Sequence, residues 1–200
     1  MELKDKVTMV HSSLQWARRT HEIVRYRPED YDHQGIYTRD SWMDYSDVGR
    51  EFEGEIFTEE EYLKIEAAYI KCAAEIMRRS GCSYLTIGYV EKNNRKKSLA
   101  KYRYRSRIYI DDLADLLREM LRGHIYCFLA NIKRKFYLDV GYDYYMCIIC
   151  PIDWDTLNDI VKSYGLFLDP RSSRYDSLRL EANESKKFGN IKIRTSQGEV

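Results

Sequence analysis

The sequence predicts an α+β fold, with a largely antiparallel sheet and helices packed on one face, in a single domain over residues 1–200. A length of 200 residues suits one domain. Three apolar and aromatic runs lie at 125–130, 136–140 and 144–150, and short polar or glycine-containing breaks separate them. Such runs are typical of strands joined by hairpins. An amphipathic segment follows directly and predicts a helix lying across the sheet.

The first part of the chain predicts a short strand and a helix. Residues 7–10 form a candidate edge strand. Ser12 and Gln15 spell a capping box, and the apolar spacing after them predicts a helix over 13–26. Pro28 ends this helix, because the residue before a proline is pushed out of the helical region.

A longer amphipathic stretch predicts a helix over 58–80. Thr58 and Glu61 form a capping box at its start, and Gly81 stands where a left-handed C-terminal cap belongs. Apolar residues hold one face throughout, so this helix is expected to pack against the sheet.

Two shorter helices are predicted in the second half of the chain. The first is capped by the aspartate pair 111–112, carries a stripe of Leu and Met, and ends at Gly123. The second covers 152–161 and ends near Gly165, after which 166–168 returns as a last short strand. The remaining residues are polar and predict a partly ordered tail.

Residues 29–57 show no sustained period and predict a long ordered loop over the body of the domain. Thirteen acidic residues within 29–66 stand against Arg39, Arg50 and Lys64, a net charge of −10. Aromatic residues lie among the acids, unlike in disordered acidic linkers. Carboxylates can steer a basic partner and aromatic rings can anchor it, which makes the loop a candidate protein-binding surface. The candidate binding residues are Trp42, Asp44, Tyr45, Asp47, Glu51, Glu53 and Glu55. An alternative, in which the aromatics are buried against the loop's own domain, stays open.

A predicted hairpin carries the opposite charge. Residues 84–90 predict one strand, and strict alternation over 102–110 predicts another with one solvated face. Between Lys92 and Arg107 there are eight Lys or Arg and no acid. This stretch could grip a phosphate backbone while tyrosines stack on bases, so nucleic-acid binding is the alternative function. The residues that would carry it are Lys96, Lys97, Tyr102, Arg103, Tyr104, Arg105 and Arg107. The simpler interpretation is a solvated strand face, or one that neutralises the acidic loop.

The composition argues for a cytoplasmic protein. The N-terminus lacks the apolar core of a signal peptide, and no apolar run reaches the length of a membrane span. Five cysteines form an odd, irregular set, mostly within apolar patterns, which predicts reduced thiols. The net charge is +1, so the whole molecule is not expected to attract nucleic acids or membranes.

No pattern in the sequence predicts a catalytic, metal or cofactor site, so we do not expect an enzyme. Cys147 and Cys150 have metal-like spacing, but they lie in one apolar strand, where residues three apart point to opposite faces. The four histidines lack ligand spacing. Phosphate-cradling glycine loops and nucleophile motifs are also missing from the sequence.

Two stretches resemble immunity proteins of bacterial polymorphic-toxin systems, including contact-dependent growth inhibition systems. GYDYYMCIICPIDWDTLNDIVKSYGLFLDPRSSRY, at 141–175, is similar to a pattern GYDYYMYI…GLFVE…SPY. DYSDVGREFEGEIFTEEEYLKIEAAYI, at 44–70, looks like the acidic lead-in and capped helix of such proteins. The chain departs from the pattern at Cys147, Asp169, Pro170 and Arg174. The resemblance implies a cytoplasmic, non-enzymatic protein that binds one cognate toxin domain and blocks its active site. Immunity proteins share a role rather than a fold, so the resemblance assigns no binding residue.

Overall fold

The computed structural model describes residues 20–93 and 96–169. These residues contain nine strands: β1 (His21–Val24), β2 (Glu51–Phe52), β3 (Glu55–Ile56), β4 (Tyr84–Lys92), β5 (Arg107–Tyr109), β6 (Ile125–Asn131), β7 (Phe136–Val140), β8 (Met146–Ile149) and β9 (Phe167–Leu168). They also contain three α-helices: α1 (Glu59–Arg79), α2 (Leu113–Leu121) and α3 (Trp154–Ser163).

Seven strands form one sheet in the order β5-β4-β6-β7-β8-β1-β9, and every neighbouring pair is antiparallel. Strands β2 and β3 form a separate two-stranded hairpin. The main hydrophobic core contains buried residues from all three helices. A smaller cluster on the other face of the sheet is built from strand residues of β6, β7 and β8. The predicted α+β class, with helices on one face of an antiparallel sheet, is confirmed.

Helix α1 forms where its capping signals predict. The Thr58 side chain accepts a hydrogen bond from the Glu61 N–H at 3.2 Å, and the Glu61 carboxylate accepts from the Thr58 N–H at 2.8 Å. Three glutamates occupy the first turn and two arginines the last, which complements the helix dipole. The buried face includes Tyr62, Tyr69 and Ile76, all fully inaccessible to solvent.

The predicted helix over 13–26 is wrong in its described part. Residues 21–24 form strand β1 instead, and the capping box and residues 13–19 lie outside the described residues, as do the candidate strand 7–10 and the tail from 170. Strand β1 lies between β8 and β9 in the sheet. Its pairing buries Ile23 and Val24 almost completely, and this tertiary burial outweighs a local helical pattern.

The predicted strand over 102–110 is correct only in β5. Residues 97–101 form a 3-10 helix, and Arg105 adopts a left-handed conformation with φ 65°. The Arg105 N–H donates to the Ile87 carbonyl at 2.7 Å, so the chain turns before it joins the sheet. Strand β8 is also shorter than predicted, because Asp143 and Tyr144 have φ values of 54° and 62°.

The cysteines follow the predicted facing. Cys147 belongs to the smaller cluster and Cys150 packs against the main core, so the two thiols lie on opposite faces of the sheet. All five cysteines are free, and four of them are buried. Burial raises the pKa of the Cys150 thiol to about 11, which keeps it protonated and unreactive near neutral pH.

Candidate partner-binding face

The acidic loop contains a tight hairpin that positions its carboxylates. Strands β2 and β3 are joined by Glu53 and Gly54, whose φ values are 51° and 86°. A two-residue turn with both φ angles positive matches the right-handed twist of the strands it joins. The Gly49 N–H donates to the Phe57 carbonyl and the Phe57 N–H to the Arg50 carbonyl, both at 2.8 Å, which extends the ladder beyond the two strands. The hairpin is therefore a defined scaffold within the predicted loop.

Trp42 lies in the interior rather than on the surface. Its ring stacks on Phe57 with centroids 4.5 Å apart and meets Tyr144 edge-on at 5.1 Å. Only 8% of its surface is exposed. The Arg25 guanidinium lies 3.8 Å from the ring centroid and donates to the Ser41 hydroxyl and to the Trp42 carbonyl. The prediction of Trp42 as an exposed anchor is corrected: this ring holds the loop onto the domain.

Asp47 is also directed inward. Its carboxylate is almost fully buried and accepts hydrogen bonds from the Met43 N–H at 2.8 Å, the Asp44 N–H at 3.3 Å and the Arg50 guanidinium at 2.6 Å. Burial alone would raise the pKa of Asp47, but these hydrogen bonds outweigh it and hold the pKa below its usual value. The predicted steering role of Asp47 is therefore corrected to the stabilisation of a turn.

Asp44 completes the same turn from the other side. Its carboxylate accepts from the Ser46 N–H at 2.7 Å, so Asp44 and Asp47 form a reciprocal capping box around a 3-10 helix at 45–47. Asp44 stays exposed, so its charge still contributes to the surface. Removing it would weaken the turn as well as the charge.

Tyr45 and Glu53 lie at the surface with partners of their own. The half-buried Tyr45 donates from its hydroxyl to Glu59 at 3.0 Å, and this bond raises the pKa of the tyrosine. Glu53 accepts from the Arg39 Nε at 2.7 Å, which lowers the pKa of Glu53. Both side chains can contact a partner only alongside these existing bonds.

Glu51 and Glu55 are the free carboxylates of the hairpin. Both are exposed, and neither forms an ion pair with any residue of 20–93 or 96–169. Apolar side chains are exposed in the same segment and on α1, namely Ile36 at 58%, Met43 at 56%, Ile56 at 65% and Leu63 at 42%. These exposed acids and apolar groups make up a candidate surface for a partner, called here the partner-binding face and defined by Glu51, Glu55 and Ile56 of the hairpin with the first turns of α1.

A cleft of about 160 Å³ opens between the hairpin and α1. Phe52 and Ile56 line it from the hairpin and Ile65 from the helix, and Glu55 and Glu61 border it. Sequence reasoning missed these three apolar residues because they were assigned to a loop or to a helix core. A Glu-Gly pair between Phe52 and Ile56 was the available signal, since Gly in a two-residue connection marks a hairpin.

The basic segment, residues 92–107, carries positive charge, and its side chains are arranged differently from those of the acidic loop. Tyr102 is only 3% exposed and packs in the main core, so the structure corrects its predicted role as a base-stacking residue. Tyr104 is 40% exposed, and the Arg105 guanidinium lies 5.1 Å from its ring centroid. Arg107 lies 4.7 Å from the ring of Tyr84. The aromatic surface available to a base is therefore small and already shared with arginines.

The cations of this segment are exposed and weakly paired. Lys96 lies 3.7 Å from Glu119, and Lys101 lies 3.9 Å from Asp115, both on or beside α2. Lys97 is exposed on the 3-10 helix, and Arg103 donates to the Ala100 carbonyl at 3.1 Å. In the part of the chain that the structure describes, no ion pair joins an acid of 29–57 to a base of the segment. The two charged regions therefore do not neutralise each other by direct contact there.

The geometry defines an α+β protein with one acidic, partly apolar face and one separate basic segment. No family model, curated protein or solved structure matches this chain. Within the described ranges, no helix is both long enough and apolar enough to cross a membrane. No group of three His, Cys, Asp or Glu side chains among the same residues is placed to hold a metal ion.

Proposed function

We propose that this chain is a non-enzymatic, cytoplasmic immunity protein that binds the toxin domain of a cognate bacterial toxin and covers its active site. The observation that carries the proposal is the pairing of free carboxylates with an exposed apolar side chain on one defined hairpin: Glu51 and Glu55 beside Ile56. The resemblance of residues 44–70 and 141–175 to immunity proteins supplies the class of partner.

Physical chemistry favours a protein partner for this face. Charges across an interface steer association and select the partner, whereas apolar groups near its centre supply affinity. The hairpin holds its side chains on paired strands whose base is anchored by the buried rings of Trp42 and Phe57. A surface that is already ordered loses less conformational entropy on binding than a flexible loop would. The expected partner is therefore a basic protein surface.

The first test measures binding of the toxin domain encoded beside this gene. We expect a tight one-to-one complex by calorimetry, and at least about a tenfold loss of affinity in the double variant Glu51→Gln and Glu55→Gln. Most of the loss should lie in the association rate and should shrink as salt is added, because exposed charges are screened. Asp44 and Asp47 are left unchanged in this test, because both aspartates also hold a turn.

A matched control removes the same charge elsewhere. Asp111 and Asp159 are both exposed, and Asp111→Asn with Asp159→Asn should leave the affinity within about twofold. Equal losses in the two double variants would show that only net charge matters and would exclude the hairpin as the contact. Absence of any complex with the toxin domain would overturn the proposed function.

Nucleic-acid binding is the second candidate, supported by the exposure of every described Lys and Arg in residues 92–107. The test is a salt titration of affinity for single-stranded oligothymidine. Each lost phosphate contact lowers the slope of log affinity against log salt by about 0.7. The triple variant Lys97→Ala, Arg103→Ala and Arg107→Ala should therefore lower it by about 2. Binding that is absent at low salt, or that does not respond to salt, would exclude this candidate.

A further inference from the structure

The size of the cleft between the hairpin and α1 limits what it can hold. Its volume is about 160 Å³. Sites for small-molecule ligands usually measure roughly 300–1,000 Å³, while an engineered cavity of about 150 Å³ holds one benzene ring. The cleft therefore has room for one side chain rather than for a metabolite or a cofactor. Its position on the partner-binding face makes that side chain one from a partner protein.

Apolar side chains form part of the cleft wall, together with polar groups. Phe52 is half-buried on β2, Ile56 is 65% exposed on β3, and Ile65 is half-buried on α1. Trp42, of which only 8% is exposed, also lines the cleft. An occupant with an apolar shaft would remove these surfaces from water, which favours binding by about 25 cal/mol per Å² of apolar area.

Two acidic residues are part of the cleft lining, one from each element. Glu55 comes from the hairpin and Glu61 from the first turn of α1. Hydrogen bonds from the Thr58 N–H and hydroxyl to one Glu61 oxygen lower the pKa of this carboxyl, so it carries full charge at neutral pH. A carboxylate offers about four acceptor sites, so these bonds leave Glu61 further capacity. The occupant that fits has a cationic tip above an apolar shaft.

We propose that the cleft binds one arginine side chain from the partner protein, a proposal that rests on the proposed function. Arginine fits better than lysine because its guanidinium is planar and weakly hydrated, and its forked donors can reach two carboxylates. The same plane can stack on the Phe52 ring while the methylene groups pack on Ile56 and Ile65. One arginine side chain would thus make both the charged and the apolar contacts that the cleft offers.

The test uses blocked amino acids in place of the whole partner. N-acetyl-arginine amide is titrated into the isotopically labelled protein and followed by nuclear magnetic resonance, with N-acetyl-citrulline amide as the neutral isostere. We expect saturable shift changes centred on Phe52, Ile56 and Ile65, and at least about tenfold weaker binding of the citrulline probe, because charged hydrogen bonds are about twice as strong as neutral ones. Equal binding of the two probes would overturn the proposal. Shift changes spread evenly over other exposed acids would overturn it as well.

Matched variants locate the two parts of the site. Glu55→Gln with Glu61→Gln should weaken the arginine probe by at least about tenfold, and Gln at 61 still provides an acceptor for the capping box. Glu60→Gln on the same helix turn is the charge control, because Glu60 is exposed but does not line the cleft. Ile56→Ser should weaken the probe by about twofold through lost apolar contact. A Glu60→Gln effect as large as that of the double variant would place the probe outside the cleft.

The failures of the two proposals can be told apart, because the probe titration does not involve the toxin domain. Arginine binding in the cleft without any complex with the toxin domain would uphold the cleft and overturn the proposed function. A toxin complex that depends on Glu51 and Glu55, together with no arginine binding in the cleft, would overturn only the cleft assignment.

Discussion

Two segments with similar numbers of charged groups and opposite sign are built on different principles. Residues 29–57 carry nine carboxylates and residues 92–107 eight Lys or Arg. In the acidic segment the Asp47 carboxylate accepts hydrogen bonds within a turn, and Trp42 is buried in the core. In the basic segment the described cations all point outward, and Leu99 and Tyr102 hold the backbone to the domain. The density of charge in a stretch does not tell which charges are available to a partner.

The difference follows from where each segment places its hydrogen-bond acceptors. A carboxylate can accept several backbone N–H bonds, so an acid in a turn can stabilise the chain around it. Lys and Arg have only donors, so they cannot accept the backbone N–H groups of a turn in this way. Asp47 can therefore become part of the local structure, whereas the described cations of residues 92–107 stay exposed.

The largest expected difference concerns a buried aromatic ring of the acidic segment and an exposed one of the basic segment. Trp42→Ala should lower the free energy of unfolding by about 3–5 kcal/mol, because a buried ring stacked on Phe57 is removed. Tyr104→Ala in the basic segment should change it by less than about 0.5 kcal/mol, since that ring is 40% exposed. Urea denaturation of both variants makes the comparison. Losses of similar size would mean that Tyr104 contributes as much to stability as the buried Trp42.

An intermediate effect is expected at Asp47, and it should depend on pH. Asp47→Asn should lower the free energy of unfolding by about 1–3 kcal/mol at neutral pH, because buried hydrogen bonds are lost or mismatched. The pKa of Asp47 in the folded protein lies below its usual 3.8, so the contribution of the ionised carboxylate is complete above that value. It is lost as the pH falls through the lowered pKa. Denaturation at several pH values should show the gap between wild type and variant closing in acid, and a gap that stays constant would contradict this origin.

The smallest changes in the free energy of unfolding are expected at two residues with left-handed backbone conformations, one in each segment. Gly54→Ala should lower the free energy of unfolding by about 1 kcal/mol, since φ is 86° there and no atom lies within 4 Å of the position that a Cβ would take. Arg105→Asn in the basic segment should raise it by about 0.5 kcal/mol, because Asn tolerates the left-handed conformation that Arg105 adopts. Thermal or urea unfolding resolves the two signs. A stabilising Gly54→Ala would show that the turn relaxes to another type.

Local signals in the sequence predicted the elements that local contacts determine. Helix α1 begins and ends where its capping box and Gly81 indicate, because both signals act within a few residues. Strand β1 was predicted as a helix because its pairing with β8 is distant along the chain and leaves no local mark. The alternation over 102–110 failed for a related reason: burial of Tyr102 and the left-handed Arg105 interrupt a pattern that looks continuous.

The candidate site was predictable to a similar extent. Glu51 and Glu55 are exposed, as their place in an acidic segment suggests. The inward role of Asp47 was also readable, since Asp44 and Asp47 have the spacing of a capping box. The cleft was not predictable from the sequence, because its lining residues come from both the hairpin and α1. How these two separate elements pack together leaves no local pattern in the sequence.

The place of β1 between β8 and β9 has a consequence for the order in which the molecule assembles. β6, β7 and β8 pair as successive hairpins, which close quickly because few residues separate their partners. His21 pairs with Ile148, so β1 can join β8 only when most of the chain closes into a loop. The conformational entropy lost in closing this loop must be offset before the pairing stabilises the sheet. Until then one side of β8 offers unpaired backbone groups to any other chain. Docking of β1 thus ends the interval in which a newly made molecule is most prone to aggregate, and afterwards the amides of β1 exchange with water only when the sheet opens.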